Sequence, residues 1–474
     1  MINDTRKKLK TKSVKFGGLQ RINQHAAGVD IGAKSIFVCV NVEEGRHEVR
    51  EFLTFTADLR EAAVWLKKYG TKTVAMESTG SYWIPVYDIF EEEGLEVCLV
   101  NAHHLKAIPG KKTDVLDCQW IQTLHSYGLL RGSFRPGSHG VSFRAYVRQR
   151  SKITELSAMQ IQLMNKALIQ MNIRLDQVFS TISIASSMTI IRAIVGGERN
   201  SAVLAEYRNF QCKKTKQDVM KALEGNYRPE HLFALEQALR TYDFFQEQIL
   251  ECDTKIKEML ESSEVLQQNT LDPKSSQQVS AICEKTMPKK KKKSTGKNTY
   301  NFDAATKLKN AIHIDLTAIP GIDVNTAIKI ISEIGTDMNR WPTEKHFISW
   351  LSLCPGNKIS GGKVLSSRAT PTSNKARQAF KIASNSLYRS TSALGAFFRR
   401  MRAHLGAPAA IVAAAHKLAK IVYQMLKEQK EFHDIGQEAY EQQFKKRRLT
   451  NLRRIASELG YDLKPQEEQA SAVV

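Results

Sequence analysis

Apolar and polar positions change rhythm several times along the chain, and each change marks an element. Residues 27–135 alternate between strand and helix patterns. In GVDIGAKSIFVCV an apolar run stops at a tight turn around Gly32 and then resumes, which predicts two strands. HEVREFLTF predicts a third, giving an antiparallel hairpin system. LREAAVWLKKYG has helical spacing and stops at a glycine. TKTVAME predicts a short strand, WIPVYDIFEEEG a helix ending at Gly94, LEVCLVNA another strand, and TDVLDCQWIQTLHSYGLL a last helix. Three strands, then helix, strand, helix, strand and helix, fit a mixed α/β sheet flanked by helices.

The rest of the chain reads as all-α. Residues 140–268 look helical throughout. Leu232, Leu235, Leu239, Tyr242, Ile249, Ile256 and Leu260 follow a heptad trend, interrupted by Gln246 and Asp253. A coiled-coil seam and a plain helix-bundle core explain that trend equally well, and either makes an arm or scaffold suited to a homo-oligomer, dimer or tetramer. Residues 309–430 return to compact helical patterns. The resulting plan is a basic flexible tail (1–25), an α/β domain (26–138), a helical arm (139–268), a lysine-rich linker (269–308), a second compact domain (309–430) and a polar basic tail (431–474).

Composition narrows the partner. The 474 residues carry 70 Lys and Arg against 48 Asp and Glu, a net charge of +22. Such an excess favours a polyanion, with nucleic acid ahead of an anionic membrane surface. Five consecutive lysines, Lys289 to Lys293, repel one another and predict an exposed segment able to touch phosphates. The basic start has no apolar core behind it, and no uninterrupted apolar stretch approaches 18 residues, so neither a secretory leader nor a membrane span is expected. The seven cysteines are scattered with no C-x-x-C pair, which suggests free thiols in a reducing compartment.

Four carboxylates stand out. Asp30 lies between Val29 and Ile31 inside an apolar strand pattern, where a lone ionised carboxylate is costly, so it needs a metal or a cationic partner. Glu77 ends the strand VAME, at a sheet edge where sites in such folds gather. Asp114 and Asp117 are three apart on a predicted helix and share a face. Alone, Asp114 reads best as a helix cap or first-turn charge. As a converging set, the four suit hard cations such as Mg²⁺ or Mn²⁺, which serve phosphodiester chemistry.

Together, GVDIGAKS, AMESTGSYWIP and KKTDVLDCQW resemble the DEDD-type insertion-sequence transposases, a family also called bridge-RNA-guided recombinases. The resemblance implies an RNase H-like (RuvC-like) fold for residues 26–138, with Asp30, Glu77, Asp114 and Asp117 as catalytic metal ligands. It also implies DNA as substrate, a structured guide RNA as partner, and a prokaryotic, cytoplasmic, nucleoid-associated setting. Two positions depart from the family pattern: Cys118 stands where a small residue is expected, and Ala102 follows Asn101 where proline is expected.

In the second compact domain, LTAIPGIDVNTAIKIISEIG reads as a helix-hairpin-helix turning at Pro320-Gly321-Ile322, or equally as a plain hairpin between packed helices. Backbone N–H groups at such a turn can hold a DNA phosphate. CPGNKISGGKVLSSRATPTSNKAR reads as a Gly- and Ser-rich loop whose Lys358, Lys363, Arg368, Lys375 and Arg377 suit nucleic-acid binding. From the residues alone, Ser360 is a turn residue. The family resemblance, which sets a Ser-Gly pair five residues past a proline (here Pro355), makes Ser360 the nucleophile that holds the DNA end covalently. Ser366, Ser367 and Ser373 compete for that role. Two other readings stand beside the transposase. One is a RuvC-like nuclease on branched DNA without serine chemistry. The other is an actin-like ATPase suggested by VDIGAKS, for which no second phosphate loop is found.

Overall fold

Strand β1 (Ala26–Ile31) is buried on both faces, and the α/β unit is built around it. The computed structural model describes residues 19–43, 46–78, 80–101, 114–210, 212–262 and 298–463. The chain divides into two units, residues 1–135 and 136–474.

In the first unit, β1 is followed by β2 (Ser35–Glu43), β3 (Arg46–Leu53), α1 (Thr56–Lys68), β4 (Thr73–Glu77), α2 (Trp83–Glu92), β5 (Glu96–Val100) and α3 (Asp114–Ser126). The five strands lie in the order β3-β2-β1-β4-β5. β1 runs antiparallel to β2 and parallel to β4, and β4 runs parallel to β5. This mixed sheet fits an RNase H-like domain. The two-residue period of β1 splits its side chains. Ala27, Val29 and Ile31 join a core with Leu59, Ala62 and Leu66 of α1 and Val86 and Phe90 of α2. Ala26, Gly28 and Asp30 point the other way, toward α3. Residues just ahead of β1 are tied down, because the N–H groups of Ile22 and Asn23 donate to the carbonyl of Ser126. The basic tail expected over residues 1–25 is therefore anchored at its described end.

The second unit begins with α4 (Ser138–Gln170), α5 (Leu175–Val178), α6 (Ala185–Val195), α7 (Ser201–Glu206), α8 (Lys216–Ala222) and α9 (Pro229–Glu261). α4 and α9 are 33 residues each and lie side by side. Pairing of Arg150 with Asp253 and of Ser157 with Gln246, together with the shared core of Leu168 and Leu235, makes them antiparallel. The heptad residues Leu235, Leu239, Ile249, Ile256 and Leu260 are all buried. Leu235 and Leu239 join α6, α7 and α8 in one cluster, so this stretch of α9 serves a bundle core. The two polar interruptions have partners: Gln246 donates to Ser157 at 2.8 Å, and Asp253 pairs with Arg150. That ion pair is nearly sealed from water, with 6% and 1% side-chain exposure. Arg150 also donates to the carbonyls of Asn298 and Thr299 and stacks 4.0 Å from the Tyr300 ring. Asn301 N–H donates to Asp253. Residues 298–301 are thus locked to the long helices, and burial pushes the Tyr300 phenol up.

The remaining elements are α10 (Ala304–Ile312), α11 (Val324–Ile334), α12 (Glu344–Trp350), β6 (Lys358–Ser360), β7 (Lys363–Ser366), α13 (Lys375–Ser386), α14 (Ala393–Leu405), α15 (Ala407–Glu428) and α16 (Gly436–Glu458). Two expectations change here, and a third is put to the test. The expected linker ends sooner, since Tyr300 is buried and α10 starts at Ala304; the Lys289 to Lys293 run lies outside the described residues. The expected polar tail holds a 23-residue helix, α16. Finally, α15 is long and apolar enough on average to cross a membrane. Nine of its residues, including Ala414, Leu418 and Val422, are buried within the unit, and Lys417 and Lys420 interrupt its apolar face, so it is a core helix. The six described cysteines, Cys39, Cys98, Cys118, Cys212, Cys252 and Cys354, are free thiols; Cys283 lies outside the described residues.

Candidate active site

The carboxylates are positioned by strand register and by one close approach. Val29 pairs with Met76 in the parallel β1–β4 ladder, so Asp30 and Glu77 come next on neighbouring strands and share a face. Glu77 also closes the β4–β5 ladder opposite Val100, and Ser78 N–H extends it to the Val100 carbonyl at 2.9 Å. α3 crosses this same face. A Cβ added at Gly28 would lie 2.3 Å from the backbone nitrogen of Gln122 and 2.4 Å from the carbonyl oxygen of Cys118. The helix backbone therefore rests directly on the strand, which only glycine permits. Gln122 fastens the contact, its side-chain amide donating to the Ala26 carbonyl at 3.1 Å. At the far end of α3, His125 Nε2 and Thr73 Oγ1 are 2.9 Å apart, and Asn23 donates to the His125 carbonyl at 2.8 Å. Asp114 and Asp117 occupy the first turn of the helix so pinned.

The electrostatics follow from this placement. The Asp30 carboxyl is pushed up to about 6, first by burial and then by the negative charges of Asp114, Asp117 and Glu77, against one backbone hydrogen bond at Ile31 that lowers it. Like charges gathered around a half-buried carboxylate are unfavourable unless a cation joins them. The donor set is all oxygen, which fits Mg²⁺ or Mn²⁺ rather than zinc. Among the described residues, no three such side chains are gathered closely enough to enclose an ion. The four carboxylates fit a metal in donor chemistry and in mutual field, while a closed cage would require them to draw in around the cation.

Two contributors to this site were not singled out in the sequence. Gly28 is visible there as a glycine inside a strand pattern, which signals a close backbone approach. Gln122 carries no such signal, because a glutamine in a helix is usually solvated.

The second unit places Ser360 differently from the sequence expectation. The segment expected to be a loop forms a short antiparallel hairpin, in which Ser360 pairs with Lys363 across Gly361 and Gly362. Both glycines have positive φ, 54° and 76°, the geometry of the tightest two-residue hairpin turn. Ser360 is exposed at the turn, as are Lys363, Ser367, Arg368, Ser373 and Lys375. The Ser366 hydroxyl is engaged by the N–H of Arg368 at 3.3 Å. Arg377 is turned inward: one guanidinium nitrogen donates to the Thr370 carbonyl at 2.8 Å, and its Nε is buried without a hydrogen-bond partner. Lys358 sits in β6; its side chain lies outside the described residues.

The Pro320–Gly321 turn is present, with Gly321 at φ 93° and packed so closely that a Cβ would lie 2.7 Å from the Ala383 carbonyl. Before it stands a single 3₁₀ turn, Leu316–Ala318. The start of α11 is capped by Asp323, which accepts from Thr326 N–H at 2.8 Å. A carboxylate already sits where a phosphate would bind. The other end of α11 is held by Arg144, donating to the Ser332 and Glu333 carbonyls, and by Arg148, bidentate on the Glu333 carboxylate at 2.7 and 2.8 Å.

Two family models match the chain. A transposase model of the DEDD type covers residues 27–173, and a model of the transposase IS116/IS110/IS902 family covers residues 315–399. No curated protein matches it.

Proposed function

Because the chain belongs to the IS110 family of transposases and is an enzyme acting on DNA, we propose that it cuts and exchanges DNA strands through the four carboxylates and Ser360. Asp30, Glu77, Asp114 and Asp117 hold divalent cations, Mg²⁺ or Mn²⁺. When bound, such ions polarise the phosphodiester and stabilise its leaving oxygen. The Ser360 hydroxyl attacks the phosphorus, its proton passes to a base, and the DNA 3′ or 5′ oxygen leaves as the serine–phosphate ester forms. Lys358, Lys363, Arg368, Lys375 and Arg377 bring positive charge to that step. The observation that carries the reading is the joint field of Asp114, Asp117 and Glu77 on Asp30. The matched segments include all four carboxylates and the serine hairpin.

Guidance by a structured RNA, assembly as a homodimer or homotetramer, a role for the long α4–α9 pair in that assembly, and action on nucleoid DNA in a prokaryotic cytoplasm belong to the same proposal. The large basic excess supports the RNA. The test is denaturing electrophoresis of protein incubated with labelled DNA carrying its own element ends, with the RNA that co-purifies. Wild type should give a covalent protein–DNA band, and Ser360→Ala and Asp30→Asn should give none. A Ser360→Ala protein that still cleaves, with no adduct from wild type, would make the enzyme a metal-dependent nuclease without serine chemistry.

A further inference from the structure

Helix α16 lies wholly beyond the two matched segments. It has no buried residue, and Glu441 to Ile455 are exposed without a break. Fifteen exposed residues in a row make about 22 Å of helix that buries none of its residues. Its root is fixed by cations on aromatic rings. Arg400 of α14 lies 3.8 Å from the Phe444 ring centre and 5.1 Å from that of Tyr440; Lys417 of α15 lies 4.5 Å from Phe397 and 5.3 Å from Tyr440. Burial, and then the like charges of Arg400 and Arg447, push the Lys417 ammonium down. Arg400, Lys417 and Arg447 thus gather positive charge at the root, and none of the three is in an ion pair among the described residues.

Beyond the root, Lys445, Lys446, Arg447, Arg448, Arg453 and Arg454 follow within ten positions. Gln443, Lys446, Arg447, Thr450, Asn451 and Arg454 recur at helical spacing and share one exposed face, which carries three cations among amide and hydroxyl groups. Arg454 pairs with Glu458 at the surface, which is worth little in water; Lys446 and Arg447 are not ion-paired among the described residues. Leu449, Leu452, Ile455 and Leu459 make an apolar row on the opposite side. A parallel pairing of two copies through that row would set Lys445, Arg448 and Arg453 of each beside their counterparts, a like-charge arrangement that disfavours it.

We infer that α16 is a DNA-docking helix that enters the major groove of duplex DNA, with Lys446, Arg447 and Arg454 on phosphates and Gln443, Thr450 and Asn451 facing base edges. An exposed helix about 10–12 Å wide matches a B-form major groove about 12 Å wide. The major groove of an RNA duplex is too deep and narrow to admit it. The inference rests on the enzyme's action on DNA, and not on Ser360 or the carboxylates.

The test compares wild type with the triple variant K446Q/R447Q/R454Q by fluorescence anisotropy on a duplex DNA and on an RNA duplex of the same sequence, across salt concentrations. The slope of log affinity against log salt on DNA should become shallower by about 2.7, and affinity near 0.1 M salt should fall on the order of 10²-fold, at about 0.9 ion released per contact. RNA affinity should change little, and the unfolding temperature should hold, since all three side chains are exposed. Unchanged DNA affinity, or a loss on RNA alone, overturns the inference. So does a variant L452S/I455S that lowers the oligomeric state while K446Q/R447Q/R454Q binds DNA normally, which would make the helix a subunit interface. A triple variant that binds normally beside an Asp30→Asn protein that no longer cleaves removes only the helix inference. Lost binding beside an Asp30→Asn protein that still cleaves removes only the active-site reading.

Discussion

Gly28→Ala is the sharpest probe of how the acidic site is held. The substitution adds one methyl group to a strand residue whose backbone conformation alanine adopts freely, so turn geometry is not at stake. The methyl would meet the Gln122 nitrogen at 2.3 Å and the Cys118 carbonyl oxygen at 2.4 Å, whereas ordinary contact begins near 3.4 Å. Both atoms are helix backbone and cannot rotate away, so α3 must retreat by about 1 Å as a body. Overpacking of this kind costs about 1–3 kcal/mol, which lowers the unfolding temperature of the α/β unit by roughly 5–10 °C. The same retreat carries Asp114 and Asp117 away from Asp30 and Glu77. A misplacement of about 1 Å at reacting groups costs on the order of 10²-fold in rate. The assays are thermal unfolding and the single-turnover rate of DNA cleavage at saturating Mg²⁺. Gly132→Ala is the matched control, since its added methyl would meet only the Cys98 sulfur at 3.4 Å. If Gly28→Ala cleaves at the wild-type rate, the claim that this glycine sets the carboxylate geometry is wrong.

Asp30 gives a pH signature. Its carboxyl titrates about 6 when folded, above the ordinary 3.8, so its contribution to stability is complete below about 4 and is lost as pH rises through 6. Metal-free protein should therefore melt at a lower temperature at pH 7 than at pH 5, relative to Asp30→Asn. Mg²⁺ should raise the melting temperature more at pH 7 than at pH 5, and equal wild-type and Asp30→Asn profiles would contradict this. Asp253→Asn strands the Arg150 guanidinium among buried carbonyls and the Tyr300 ring, and should cost about 3–5 kcal/mol. Urea unfolding measures it, and a variant as stable as wild type would show that the pair does not anchor residues 298–301.

How much of the site was legible depended on distance along the chain. The order of strands and helices in the first unit could be read directly, because each element buries a face and writes that face into its own period. The convergence of Asp30 and Glu77 was readable as a strand-end pattern, though their register needed the β1–β4 ladder. The seat of α3 on β1 was not, since it joins Gly28 to Gln122, 94 positions apart, and rests on a missing side chain. α16 is hidden within an apparent tail for a related reason. A helix that buries nothing has no apolar period strong enough to declare itself, and its order comes from Tyr440 and Phe444 at one end.

At Ser360 the sequence carries a finer signal than an irregular loop. The Gly- and Ser-rich composition of residues 354–377 suggests a loop, but two adjacent glycines between short apolar-containing strands specify the tightest hairpin. The distinction bears on chemistry. A loop would let Ser360 sample many orientations, whereas a ladder residue flanking a two-residue turn is held by backbone pairing while its hydroxyl stays in solvent. Ile359, Val364 and Leu365, exposed at 62%, 59% and 70%, find no core within their own unit. Apolar side chains left open on a two-stranded hairpin cannot stabilise it in water, because two strands alone are marginal. In this structure the hairpin is held by its backbone ladder and its two-glycine turn, not by burial of those three side chains.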